Sequence, residues 1–300
     1  MKLGPFGMKM ILRLLWKEEK KRRAFWLDPN LYRHQLDVDV LGDGVFDHKV
    51  DIYYANEGPN KKNKVLLDIH GGAYLFSNRK NNYGFASVFL EKGYDVVLLD
   101  YQPNGKGRGC LDQLRSVAAE LKYLWDHAAE LKLNQDQFYL MGDSAGGHFS
   151  LVLAEALGDD EYARTLGIDV SGIRVHGVAV CCPLYDFERG VQTEALNRAG
   201  KRLMFGPDYD KPEFARLLSP KAHLPLLNIP LFLSSCRNDF IKQESLDLNE
   251  DATKAGKDIT YVFIDVEDQR VQHVHNVTHF RDPESVQVND AMDSFFSRCA

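Results

Sequence analysis

A hydroxyl set between two glycines, in Gly142-Asp143-Ser144-Ala145-Gly146-Gly147, is the group in this chain best placed to act as a nucleophile. An apolar run over residues 137–141 leads into it and a helix-like run over 148–154 leads out. Strand, tight turn and helix together make a nucleophile elbow, in which the serine sits at a strained backbone angle and projects above a sheet. Gly142 and Gly146 stand two positions before and after it, where a side chain would make strand and helix collide.

A serine hydroxyl is a weak nucleophile until a base takes its proton, and an acid must orient that base. Behind an elbow of this kind the chain order is serine, acid, histidine. The apolar run at 230–236 ends in Arg237-Asn238-Asp239, which makes Asp239 the expected acid, with Asp265, Glu267 and Asp268 as fallbacks after the following strand. The base must come from His273, His275 or His279; position favours His273 first and leaves all three open. Three histidines so close also raise a metal reading. No acidic or cysteine ligand is interleaved and the spacing fits no zinc signature, so no metal is expected. The oxyanion of a tetrahedral intermediate needs backbone donors. Ala145 follows the nucleophile, and Gly71, Gly72 and Ala73 begin the loop His70-Gly71-Gly72-Ala73-Tyr74 after another strand. His70 reads as a structural histidine shaping that loop.

The elements that must hold these groups can be read in outline. Met8, Ile11, Leu12 and Leu15 have helical spacing, so residues 1–30 are expected to carry an amphipathic helix that packs on the body or at the active-site mouth rather than on a membrane surface. Alternation over 45–54 suggests a half-exposed edge strand. Mostly apolar runs at 65–69, 94–99, 137–141, 175–182, 230–235 and 259–264 suggest strands covered on both faces. Helices are expected over 85–92, along the face marked by Leu111, Leu114, Val117, Leu121 and Trp125, and at the end around Val288, Met292 and Phe296. Alternating strands and helices imply an α/β fold: one domain over 1–300 with a mostly parallel central sheet. Residues 188–227 exceed what one crossover helix needs and are expected to form an inserted helical cap over the serine.

The totals narrow the partners. The 300 residues carry a net charge of −6, which argues against nucleic acid. No apolar run is long enough to cross a membrane, and Arg13 interrupts the apolar amino terminus with no cleavage site after it. A cytoplasmic protein is expected, and homo-oligomerisation is left open. Cys181, Cys182 and Cys236 fall in apolar runs and should be buried reduced thiols, whereas Cys299 reads as a loose terminal thiol. No disulfide framework follows from them.

With His-Gly-Gly-Ala-Tyr at 70–74 and Gly-Asp-Ser-Ala-Gly-Gly at 142–147, the chain resembles the hormone-sensitive-lipase-like branch of the α/β-hydrolases, in particular small bacterial acyl and acetyl esterases. The likeness runs from about residue 45 to the end and includes Leu218-Ser219-Pro220. In that branch the catalytic histidine opens a His-x-Phe-like step. His273-Val274-His275 matches with His275 in the aromatic place, so the resemblance selects His273. The branch usually has a third glycine where Ala73 stands. What the resemblance implies is an α/β-hydrolase fold and a serine carboxylesterase without cofactor, acting on a small-molecule, short-acyl ester such as an acetylated or aromatic-acyl sugar. A peptidase on the same scaffold, or a binding protein that has lost catalysis, are the alternatives.

Overall fold

Runs rich in Val, Leu and Ile with few charges extend into strands and bury both faces. The computed structural model describes residues 31–44, 48–104 and 108–299. β1 (Arg33–Asp39) and β2 (Lys49–Tyr54) open the chain, followed by β3 (Val65–Ile69), α1 (Tyr83–Glu91), β4 (Asp95–Leu99) and α2 (Cys110–Asp126). The centre holds β5 (Phe138–Asp143), α3 (Ala145–Ala156), α4 (Asp160–Leu166) and β6 (Val178–Cys181). Four short helices come next, α5 (Phe187–Gln192), α6 (Arg198–Phe205), α7 (Pro212–Leu217) and α8 (Pro220–His223). The rest is β7 (Leu231–Cys236), α9 (Lys242–Lys254), β8 (Ile259–Ile264), α10 (His275–Thr278) and α11 (Pro283–Arg298).

The strands form one eight-stranded sheet in the order β1-β2-β4-β3-β5-β6-β7-β8. β2 runs antiparallel to both its neighbours, and the six strands from β4 to β8 are parallel. Side chains alternate between the two faces. Leu66, Tyr139, Met141 and Phe232 pack with Phe85, Phe89, Met292 and Phe296 of α1 and α11. Leu67, Leu140, Val180 and Leu233 pack with Leu114, Leu121 and Val152 of α2 and α3. Truncating one such buried ring, Phe296→Ala, would cost about 3–5 kcal/mol. Register levels the carboxyl ends: Ile69 pairs with Leu99 and Gly142, Asp143 with Cys181, and Cys236 with Ile264. That rim is where open parallel sheets take ligands.

Three expectations need correction or limits. The strand expected at 45–54 is not the edge: Lys49–Tyr54 lies between β1 and β4, with Val50–Tyr54 buried, and β1 is the edge. Charge-bearing β1 gave no apolar signal, because an edge strand is half wetted. Cys299 is not loose but 5% exposed, its thiol donating to the Phe295 carbonyl. The amphipathic helix expected over 1–30 lies outside the described residues. Among those described, no helix is long and apolar enough to cross a membrane.

Candidate active site

β5 delivers the chain to Ser144 and α3 carries it away, and the turn between them forces Ser144 to φ 52° and ψ −114°. A non-glycine residue held there stores of order 1–3 kcal/mol of strain. The Ser144 N–H donates to the Cys181 carbonyl at 2.8 Å, which ties the elbow to β6. Both flanking glycines are required by space. A Cβ on Gly142 would lie 2.4 Å from the Gly146 carbonyl oxygen, and one on Gly146 would lie 1.9 Å from that of Ile69.

His273 reaches the serine from the loop between β8 and α10. Its Nε2 lies 2.9 Å from Ser144 Oγ and its Nδ1 lies 2.7 Å from Asp239 Oδ1. With Asp239 accepting at Nδ1–H, Nε2 is left to accept the serine proton. Asp239 follows β7 and is 3% exposed. Burial pushes its carboxyl up, but the bond from His273 and that from the Ile241 N–H outweigh it and hold it below the usual carboxylate value. Ser235 Oγ donates to its second oxygen at 3.2 Å.

The other candidates are placed elsewhere. Asp265 and Glu267 pair with Arg237, and Asp268 with Arg270, all at the surface. His275 is 2% exposed with neither ring nitrogen hydrogen-bonded, and burial lowers its pKa. His279 bonds to Thr278. His70 donates from both nitrogens, Nε2 to Asp100 at 3.0 Å and Nδ1 to the Gly71 carbonyl at 2.6 Å. Burial works against its charge, but the Asp100 carboxylate outweighs that and raises its pKa. A ring so committed is a strut, not a base. Arg79, fully buried, bonds the other oxygen of Asp100 at 2.7 Å and so anchors the strut.

The loop donors divide. The Gly71 N–H donates to Asp143 Oδ1 at 2.9 Å, so Gly71, expected among the oxyanion donors, is already committed. The N–H groups of Gly72 and Ala73 have no hydrogen-bond acceptor among the described residues. Ala145 opens α3, where a first-turn N–H has no intrahelical partner. Ala73 adopts φ 50°, a conformation that favours glycine.

Sequence reading missed the groups that brace this arrangement, since each is an ordinary polar residue until the fold brings it close. Asn238 donates to the carbonyls of Asp268 and Val271 at 3.0 Å each, stapling the acid loop to the histidine loop. Asn82 lies between two carboxylates, 2.9 Å from Asp68 and 3.0 Å from Asp143. Cys182, at φ 49°, accepts from the Val274 N–H, and its thiol bonds Asp239. Cys182, Asp239 and His273 offer ligand atoms within 4.8 Å of one another. Asp239 and His273 already spend those atoms on each other and on Ser144, and the Cys182 thiol is pushed well up by burial, a poor donor set for a metal.

A cavity of about 410 Å³ opens on Ser144 and His273. Its walls come from the loop after β3, α1, the Asn238–Phe240 turn and the stretch from Gln272 to Phe280. The segment 188–227, expected to cap the serine, contributes no residue to these walls. Its apolar side chains instead join the core: Phe205, Ala215 and Leu224 are buried, and Phe187 just before it stacks on His148 at 5.0 Å.

A family description, BD-FAE, matches residues 50–250 of the chain. The chain belongs to the BD-FAE family. This BD-FAE protein is an α/β-hydrolase of the hormone-sensitive-lipase-like type, and its elbow and sheet order are those of the α/β-hydrolase fold. Mouse monoacylglycerol lipase ABHD6 is 31% identical over 145 residues, 47% of this chain and 39% of the relative. An AB hydrolase superfamily protein of Schizosaccharomyces pombe is 24% identical over 210 residues, 65% and 59% of the two chains. The BD-FAE chain thus spans less than two thirds of these relatives' length. Among solved structures, esterase B from Lactobacillus Rhamnosis, inhibited by a tributyrin phosphonate, superposes with TM-score 0.86 at 20% identity over 98% of this chain and 96% of that one. A bacterial heroin esterase does so with TM-score 0.69 at 19% identity, over 99% and 93%. Both share the fold.

Proposed function

We propose that this BD-FAE protein is a serine carboxylesterase that cleaves small, short-acyl esters through an acyl-enzyme. The observation that carries the reading is the unbroken line Ser144 Oγ, His273 Nε2, His273 Nδ1, Asp239 Oδ1, at 2.9 and 2.7 Å. Ser144 attacks the acyl carbonyl as His273 takes its proton, and the developing oxyanion turns to the N–H groups of Gly72, Ala73 and Ala145. His273 then protonates the departing alcohol, and Asp239 stabilises the imidazolium in the meantime. A water molecule, activated by the same ring, releases the acid. The reaction needs no cofactor. A cavity of about 410 Å³ suits a small ester. The esterase and lipase names among its relatives and structural neighbours favour the same chemistry.

p-Nitrophenyl acetate and butyrate should be hydrolysed, and Ser144→Ala should lower kcat by about 10⁴-fold or more. An alkyl phosphonate should add to Ser144 and to no other residue by mass spectrometry. Hydrolysis that survives Ser144→Ala undiminished would refute the assignment.

A further inference from the structure

One wall of the cavity is made by a side chain resting where another residue has none. Gly84 lies in the first turn of α1, buried, and an added Cβ there would stand 2.1 Å from Cε1 of Phe280. Glycine is the poorest helix former after proline, so its presence inside α1 is explained by the ring it accommodates. Phe280 follows α10, and both residues line the cavity. At the other side, Phe240 is 79% exposed with its ring 4.5 Å from that of His273. An ester held for attack must turn its leaving oxygen to His273 Nε2, which sends the alcohol towards Phe240 and solvent. The acyl chain is left with the walls away from Phe240, where Val277 is buried and Phe280 sits on Gly84.

We propose that Phe280, seated on the bare backbone of Gly84, is the specificity-determining wall that limits the length of acyl chain this site accepts; the proposal rests on the ester-hydrolase reading above. Removing the ring opens room for further methylenes, and crowding it with a methyl at position 84 drives it into the space the chain would use. Each methylene gained or lost in such a pocket changes kcat/KM by about tenfold or more.

The test is a series of p-nitrophenyl acetate, butyrate, hexanoate and octanoate, with a second series of acetyl esters of increasing alcohol size, normalised by phosphonate titration of Ser144. Phe280→Ala should raise the octanoate-to-acetate ratio of kcat/KM at least tenfold. Gly84→Ala should lower the butyrate-to-acetate ratio. Neither should alter the kcat/KM ratios between members of the acetyl series by more than about twofold. Acyl ratios unchanged in both variants, or a change confined to the alcohol series, would overturn the proposal. If the wild type cleaved none of these esters, the ester reading would fail on its own. The wall is then read by calorimetric titration with the alkyl carboxylates from acetate to octanoate, where Phe280→Ala must bind the longer acids more tightly than the wild type and equal affinities reject it.

Discussion

The Gly71 N–H and the Asp143 carboxylate meet across 2.9 Å, so the loop that follows β3 is fastened to the residue just before Ser144. Asp143 is 6% exposed and shares its oxygen with Asn82. The bond fixes where Gly72 and Ala73 point relative to Ser144. Asp143→Ala should therefore lower kcat by about 10²-fold with little change in KM, the signature of lost transition-state stabilisation. Asp143→Asn keeps an acceptor and should retain most activity. Steady-state kinetics on p-nitrophenyl butyrate decides it.

Of Asp239, Asp265, Glu267 and Asp268, only Asp239 touches His273. Asp239→Asn preserves shape but offers Nδ1 the wrong partner, and kcat should fall by about 10⁴-fold. Alanine at Asp265, Glu267 or Asp268 removes only solvent-screened surface ion pairs and should leave kcat unchanged.

Asn238 staples two loops that carry different members of the line, so its loss should be felt at a distance. Asn238→Ala should cost kcat about 10–100-fold through misplacement of His273, while the Asp239 side chain itself is untouched. A crystal structure of the variant with His273 still within hydrogen-bond distance of Ser144 would contradict this account.

How much of this was legible beforehand follows from which signals are local. Ser144 announces itself because its turn demands Gly142 and Gly146, and both demands are written within five residues. Asp239 and His273 were reachable because chain order restricts where acid and base can stand; His273 needed the family likeness to separate it from His275. Asn82, Asn238 and Cys182 were invisible, since their partners lie 61, 33 and 92 positions away. The strand over 49–54 was found but misplaced, because alternation reports a face and not a neighbour. Gly71 was assigned to the wrong partner for the same reason: composition shows that a donor exists, not which acceptor reaches it first.

Asp68 lies fully buried below the same loop, and burial, with the Asp143 charge next, pushes its carboxyl up to about 8. The unfolded chain ionises this group near its ordinary 3.8, so between about 4 and about 8 the folded state holds the additional proton. Stability then falls as pH rises through that window and is lowest above it. Asp68→Asn removes the dependence. Thermal unfolding should show the variant gaining about 4 kcal/mol on the wild type at pH 9 relative to their difference at pH 5.

Glu155, on α3, is buried with neither carboxylate oxygen hydrogen-bonded. Burial holds its pKa well above the usual value, with Lys257 pulling only weakly the other way. Glu155→Met fills the same volume without the polar atoms and should raise stability by about 1–3 kcal/mol. A denaturant midpoint that falls would show that the carboxyl has a partner in solution.

All five thiols lie under the surface, and each is unpaired with another cysteine. The molecule therefore carries its own clock for opening. An alkylating reagent added to the native protein waits for the chain to part, and the order in which mass increments appear names the part that gives way first. Cys299, pinned beneath the last turn of α11, reports the peeling of the carboxyl-terminal helix; Cys182 and Cys236, buried at the ends of β6 and β7, report the parting of the sheet.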